Sequence, residues 1–142
     1  MNQLKKHLKN ERGLTLVELL AVIVILAIIA VIAFVMIGNV TENSRKDAHI
    51  SNAQQLIAAA KLYDATEESI DDEIESGTLH SEGYLDELIN PWDAESDYDG
   101  TVKKDDVNYT VTITGDKIKC NINEATEKEL AQGRDEVCND ED

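Results

Sequence analysis

Glu18 is the first residue whose type and position could do chemistry. It is the only ionisable group between Leu14 and Gly38, and a carboxylate near the end of an apolar run costs on the order of 1 to 3 kcal/mol to hold in lipid unless a cation meets it. The alternative is an interfacial Glu that snorkels to headgroups. Just before it, Gly13 presents backbone without a side chain ahead of the apolar Leu14, a junction that a protease cleft can admit. Cys120 and Cys138 lie far downstream and lack CxxC or CxxH spacing; a disulfide is the first reading of the pair and two free surface thiols the second. Glu95, Asp97, Asp99, Gly100 and Asp106 fall at positions one, three, five, six and twelve of a calcium-loop spacing. The first ligand is Glu, the last is Asp, and a strand follows where a helix is expected, so a solvated acidic turn stands ahead of a calcium site.

Little else in the chain has the spacing of a catalytic site. His7, His49 and His80 are scattered, and there is no GxSxG, no phosphate-binding glycine loop and no carboxylate pair on an apolar face. The expectation is a protein that is not an enzyme and needs no cofactor, calcium apart. Tyr84, Trp92 and Tyr109 are expected in the core or on a sheet face rather than as a ligand box.

Charge bounds the partners. The 142 residues carry 13 Lys and Arg against 29 Asp and Glu, a formal net charge of −16. Residues 1–13 hold Lys5, Lys6, Lys9 and Arg12 against Glu11, which is +3, so the remainder sums to −16 − 3 = −19. So acidic a body repels phosphate backbones, and direct nucleic-acid binding is excluded as a first reading. The basic start suits a cytoplasmic membrane face, which would export both cysteines to an oxidising side.

The elements that must position these residues begin with an apolar run. Leu19 to Ile37 is 19 consecutive apolar residues, about 28 Å of helix and close to the thickness of a bilayer core. Fourteen are Leu, Ile, Val or Phe, which favours insertion by about 4 to 8 kcal/mol. The many β-branched residues do not make it a strand, because a lone segment in lipid satisfies its backbone only as a helix. Beyond Gly38, Ile50, Ala53, Leu56, Ile57, Ala60 and Tyr63 recur at three and four residue spacing, so one helix is expected from Leu14 to about Ala65, amphipathic in its second half. Short helical turns are expected at 70–75 and 84–88, with Gly77, Gly83 and Pro91 between elements. Alternation in Val107, Tyr109, Val111 and Ile113, then Ile118, Cys120 and Ile122 after Gly115-Asp116, predicts an antiparallel hairpin. Thr101 to Lys103 is a candidate third strand, and residues 124–132 a last short helix before an acidic end.

The junction Glu11-Arg12-Gly13-Leu14-Thr15-Leu16-Val17-Glu18-Leu19-Leu20, behind a short basic leader and ahead of the apolar helix, resembles that of type IV pilins and of the pseudopilins of type II secretion. The resemblance implies that prepilin peptidase cuts between Gly13 and Leu14 and methylates the new amine of Leu14. It implies that Glu18 pairs with the amino terminus of a neighbouring subunit and sets the axial register of a filament. The sequence departs from the family pattern at Leu14, where Phe is commonest, at Ala27, where many pilins have Gly, and at Val35, where many have Pro. The last two remove helix breakers from a stretch that partly melts in several pili, leaving Gly38 as the weak point. Gly83-Tyr84-Leu85 with Asn90-Pro91-Trp92 is similar to a segment of major pseudopilins and of Gram-positive pilins.

The expected fold class is therefore α+β, a long amino-terminal helix packed on a small carboxy-terminal antiparallel sheet as in the type IV pilin fold. The organisation is a cleaved leader at 1–13, an assembly helix at 14–38, its amphipathic continuation at 39–65 and an acidic head at 66–142. By resemblance the partners are further copies of the chain, prepilin peptidase, the assembly platform protein, minor pilins and, before assembly, the membrane, with the amino terminus inside and the head outside. The competing readings are a pseudopilin of a type II secretion system and a single-pass anchored binding module that never polymerises.

Overall fold

The computed structural model describes residues 2–66 and 69–138, with side chains from Thr15 onward. The chain divides into two compact units, residues 1–41 and 42–142. Helix α1 (Asn2–Thr66) contributes to both and runs through Gly38 without a break.

The second unit is α+β. After α1 come β1 (Glu73–Glu75), α2 (Ser76–Ser81), β2 (Tyr98–Asp105), β3 (Asn108–Gly115), β4 (Ile122–Thr126), α3 (Glu127–Gln132) and α4 (Arg134–Val137). The strands form one sheet in the order β1-β2-β3-β4, each neighbouring pair antiparallel. The second half of α1 lies on one face of this sheet. Its stripe of Ile50, Ala53, Leu56, Ile57 and Ala60 is buried, as the three and four residue spacing predicts. From the sheet, Val102, Val111, Ile113 and Ile122 close the core at period two. Gly100 marks where helix and sheet come closest: a Cβ there would sit 2.3 Å from Leu56 Cδ2. A side chain at Gly100 would displace the Leu56 side chain from the core.

Several expected elements are corrected. Residues 73–75 form a strand instead of a helical turn, because Ile74 pairs with Val102 and buries its side chain; the helix follows as α2. That helix ends at Gly83 (φ +80), where Gly83 N–H and Tyr84 N–H donate to the carbonyls of His80 and Leu79, the left-handed cap that glycine permits. With the helix closed there, 84–88 is not helical. The third strand is longer than expected and is the partner of β3 in a hairpin whose two-residue turn is Asp106-Val107. Val107, expected inside the alternation, is therefore 84% exposed at the tip. The last strand starts at Ile122, and a register shift between Val111 and Ile113 accommodates Glu124 at φ 50, a bulge that keeps Ile122 and Ala125 both facing inward. The final helix begins later than expected, because Thr126 caps it: Glu129 N–H donates to Thr126 Oγ1 while the Glu129 carboxylate accepts from Thr126 N–H. The acidic end, 139–142, lies outside the described residues.

Two tethers secure this unit. The Asp64 carboxylate, near the end of α1, accepts from Lys104 Nζ at 2.8 Å, Tyr109 OH at 2.7 Å and Ile70 N–H at 2.8 Å. Lys104 first, then Tyr109 and Ile70, hold Asp64 down to about 2. Cys120 and Cys138 form a disulfide with Cα atoms 4.7 Å apart, which fixes the α3–α4 tail to the segment leading into β4.

Cys138→Ser opens a loop of 18 residues and should cost about 3 kcal/mol of stability by loop-closure entropy, read as a fall in Tm of the full-length protein in detergent. Asp64→Asn addresses the other tether. Because the folded-state pKa is depressed, the stabilisation from Asp64 is present above the ordinary carboxylate pKa and is lost as pH falls through about 2. The variant should melt below wild type at pH 6, and the difference should shrink on acidification to pH 2; a gap that does not change with pH would contradict the ionic role.

Candidate processing and assembly site

In the first unit, residues 15–41 are exposed along their whole length, including Leu16 at 70% and Phe34 at 82%. Among the described residues this is the one helix long and apolar enough to cross a membrane. Its backbone is satisfied internally, and the only hydroxyl near its end, on Thr41, donates back to the Ile37 carbonyl at 2.9 Å. The backbone of this helix thus needs nothing polar from its surroundings, and its Leu, Ile, Val and Phe side chains are exposed.

Glu18 is the exception on that surface. The next cation along the chain is Arg45, 27 residues and about 40 Å of helix away. A partner for the Glu18 carboxylate in an apolar medium must come from the amino-terminal side or from another molecule. Position 14 is one helical turn before it, on the same face and about 6 Å away, which is where cleavage after Gly13 would create an ammonium group. The backbone of Gly13 and Leu14 is helical, while their side chains lie outside the described residues. Unwinding a helical turn is easier at glycine than at alanine by about 1 kcal/mol.

The acidic residues with calcium-loop spacing are not brought together. Glu95 and Asp97 sit in the turn that leads into β2, Asp99 is exposed on β2 opposite Thr114, and Asp106 is in the hairpin turn at the other end of that strand. Asp99 and Asp106 are about 23 Å apart at the rise of a strand. Among the described residues no group of three or more His, Cys, Asp or Glu could hold a metal ion. The turn is organised by Asp93, whose carboxylate pairs with Lys117 and accepts from Glu95 N–H; Lys117 chiefly, then Glu95, lowers its pKa.

Sequence reasoning missed two polar centres of the second unit. The Asp64 hub draws on Lys104 and Tyr109, 40 and 45 positions away, and carries no local signal. His49 falls between Trp92, from the connection between α2 and β2, and Tyr98, the first residue of β2. Its place beside Ile50 and Ala53 on the buried stripe was the available clue.

No curated protein and no solved structure matches the chain. The family model for the prokaryotic N-terminal methylation motif matches residues 8–34, a span that takes in Gly13, Leu14, Glu18 and most of the apolar run. An exposed apolar helix with one acid, joined to an α+β unit consistent with a pilin fold, thus carries over residues 8–34 the class III prepilin signal of type IV pilins.

Proposed function

We propose that this protein is a structural subunit of an extracellular type IV pilus-like filament, trimmed by prepilin peptidase and polymerised through α1. The observation that carries the reading is the prepilin signal at residues 8–34 on a helix whose apolar surface the chain leaves entirely uncovered. In this reading the leader, at +3, keeps the amino end in the cytoplasm, and residues 19–37 hold the subunit in the membrane until assembly. Cleavage after Gly13 removes the leader charge and frees the amine of Leu14, which is then methylated.

The chemistry of assembly is a desolvation balance. An incoming helix that moves from lipid into a bundle of like helices exchanges one apolar surround for another, so burial of its Leu, Ile and Val side chains gains little. Packing holds the helices together, and the pairing of Glu18 with the Leu14 amine of an adjacent copy decides where each one stops. Two charges that meet in an apolar core lose far less than either would alone. The head, at −18 over residues 66–142, faces solvent and keeps the filament soluble.

Intact-mass measurement should find the cell-derived protein starting at Leu14 with one added methyl group, and Gly13 replaced by a bulky residue should leave the precursor in the membrane. A Met1 start in cells that have the peptidase would sink the processing step.

The decisive variant is Glu18→Leu. It should insert as well as wild type or better and should still be cleaved, but the yield of filaments sheared from cells should fall at least tenfold while a processed membrane pool accumulates. Normal filament yield from this variant rejects the pairing mechanism. If wild type itself forms no filaments and stays monomeric in detergent, the chain is an anchored module instead.

A further inference from the structure

His49 is the most constrained titratable group among the described residues. It is fully buried on the inner face of α1, with the ring edges of Trp92 and Tyr98 against it at centroid distances of 5.3 and 5.6 Å. Its Nδ1 is 2.6 Å from Tyr98 OH. That hydroxyl also accepts from Asn52 Nδ2 at 3.1 Å; in the neutral tautomer with hydrogen on Nε2, the Tyr98 hydroxyl donates to His49 Nδ1. Nε2 is the only buried side-chain nitrogen or oxygen among the described residues with no hydrogen-bond partner.

This surround favours a neutral ring. An imidazolium would have to be held in a fully buried site that offers its two N–H groups only the Tyr98 hydroxyl and the Cys120 backbone. The charged groups nearby are all engaged elsewhere or turned outward. On α1, Arg45 and Lys46 lie one turn before His49 and are half-exposed. Glu42 accepts from Trp92 Nε1 at 2.7 Å and lies 3.6 Å from Lys119. From the connection into β2, Asp93 is paired with Lys117. From the segment before β4, Cys120 is locked in the disulfide and presents only backbone. No carboxylate among the described residues lies within ion-pairing distance of His49.

We propose that His49 is an acid-sensitive latch: its protonation expels the Trp92 and Tyr98 rings and undocks the 90–98 segment from the first turns of α1 in the second unit. The consequence is specific, because Trp92 is also the donor to Glu42. When the indole leaves, α1 loses its contact with that segment at Glu42 and at His49 together. The proposal concerns the second unit alone and holds whether or not the chain polymerises.

The direction with pH follows from linkage. Burial lowers the His49 pKa from 6.5 to about 4, against a smaller upward pull from the Cys120 backbone. The neutral ring is thus the closed form. The closed state is fully favoured well above pH 6.5 and its equilibrium falls as pH drops through the window from 6.5 to about 4, by about 160-fold at pH 4 and about 300-fold at the acid limit.

The experiment uses the full-length protein in detergent micelles and reads the fluorescence of Trp92, the only tryptophan in the chain, from pH 7 to pH 4. An approaching or departing imidazolium changes that signal directly. Wild type should show a reversible transition with its midpoint below 6.5, while helical circular dichroism is retained. His49→Gln should show no transition between pH 7 and pH 5, and His80→Gln should leave it unchanged. Tyr98→Phe, which removes the donor to Nδ1 but keeps the imidazole, should raise the midpoint and serves as the test if His49→Gln does not fold. The same profile in wild type and His49→Gln, or an unmoved midpoint in Tyr98→Phe, overturns the proposal.

Discussion

The constraint on which everything else depends is that residues 15–41 form a helix the rest of the chain does not bury. An apolar surface of that extent is stable only in lipid or against other apolar helices, and so the molecule is incomplete by itself. The continuous helix follows from the same constraint. No water-exposed break is tolerated inside an apolar surround; Val35 keeps the i to i−4 hydrogen bond that proline would remove, and Ala27 avoids the lower helix propensity of glycine. Glu18 is then the sole point in the run at which electrostatics, rather than shape, discriminates one position from another.

The second unit uses the same helix for a different purpose. From Ile50 to Ala60 one face is buried, Ala53 and Ala60 are fully buried small residues on it, and Gly100 leaves the space that the Leu56 side chain fills. Because the sheet has only four strands and one of them has three residues, its apolar face is small, and α1 supplies a large part of the core. The periphery is therefore tied down chemically. The disulfide holds the tail, Asp64 holds the start of the connection to β1, and Asn90 holds the turn after α2 by donating to Ser96 Oγ and the Asp116 carbonyl while accepting from Trp92 N–H.

Charge contributes unevenly. Most ion pairs here are between exposed groups, such as Lys103–Glu124 at 49% and 60% side-chain exposure, and pairs of that kind contribute little in water. Lys104–Asp64 differs, with 21% and 15% exposure and two further donors on the same carboxylate. A surface this acidic repels itself, so the few sheltered pairs and the neutral His49 matter more than their number suggests.

The one-dimensional features of this protein were legible from its residues alone. The apolar run, the lone Glu18 within it, the Gly13-Leu14 junction and the amphipathic continuation are set by local spacing, because a helix places residues three, four and seven apart on one face whatever else is present. The pairing of Cys120 with Cys138 was also within reach, since two cysteines admit one intramolecular bridge. What only the tertiary structure decided involves partners far apart in the chain. Residues 73–75 became a strand because Val102 offered a hydrogen-bonded neighbour; Asp106 lies in a hairpin turn because β2 and β3 pair through to Asp105 and Asn108. The Asp64 hub and the burial of His49 arise in the same way, from side chains 40 to 49 positions away. Local periodicity fixes which face of an element is apolar, but the choice of what covers that face, and hence which polar groups are sealed in with it, is made only when the chain closes on itself.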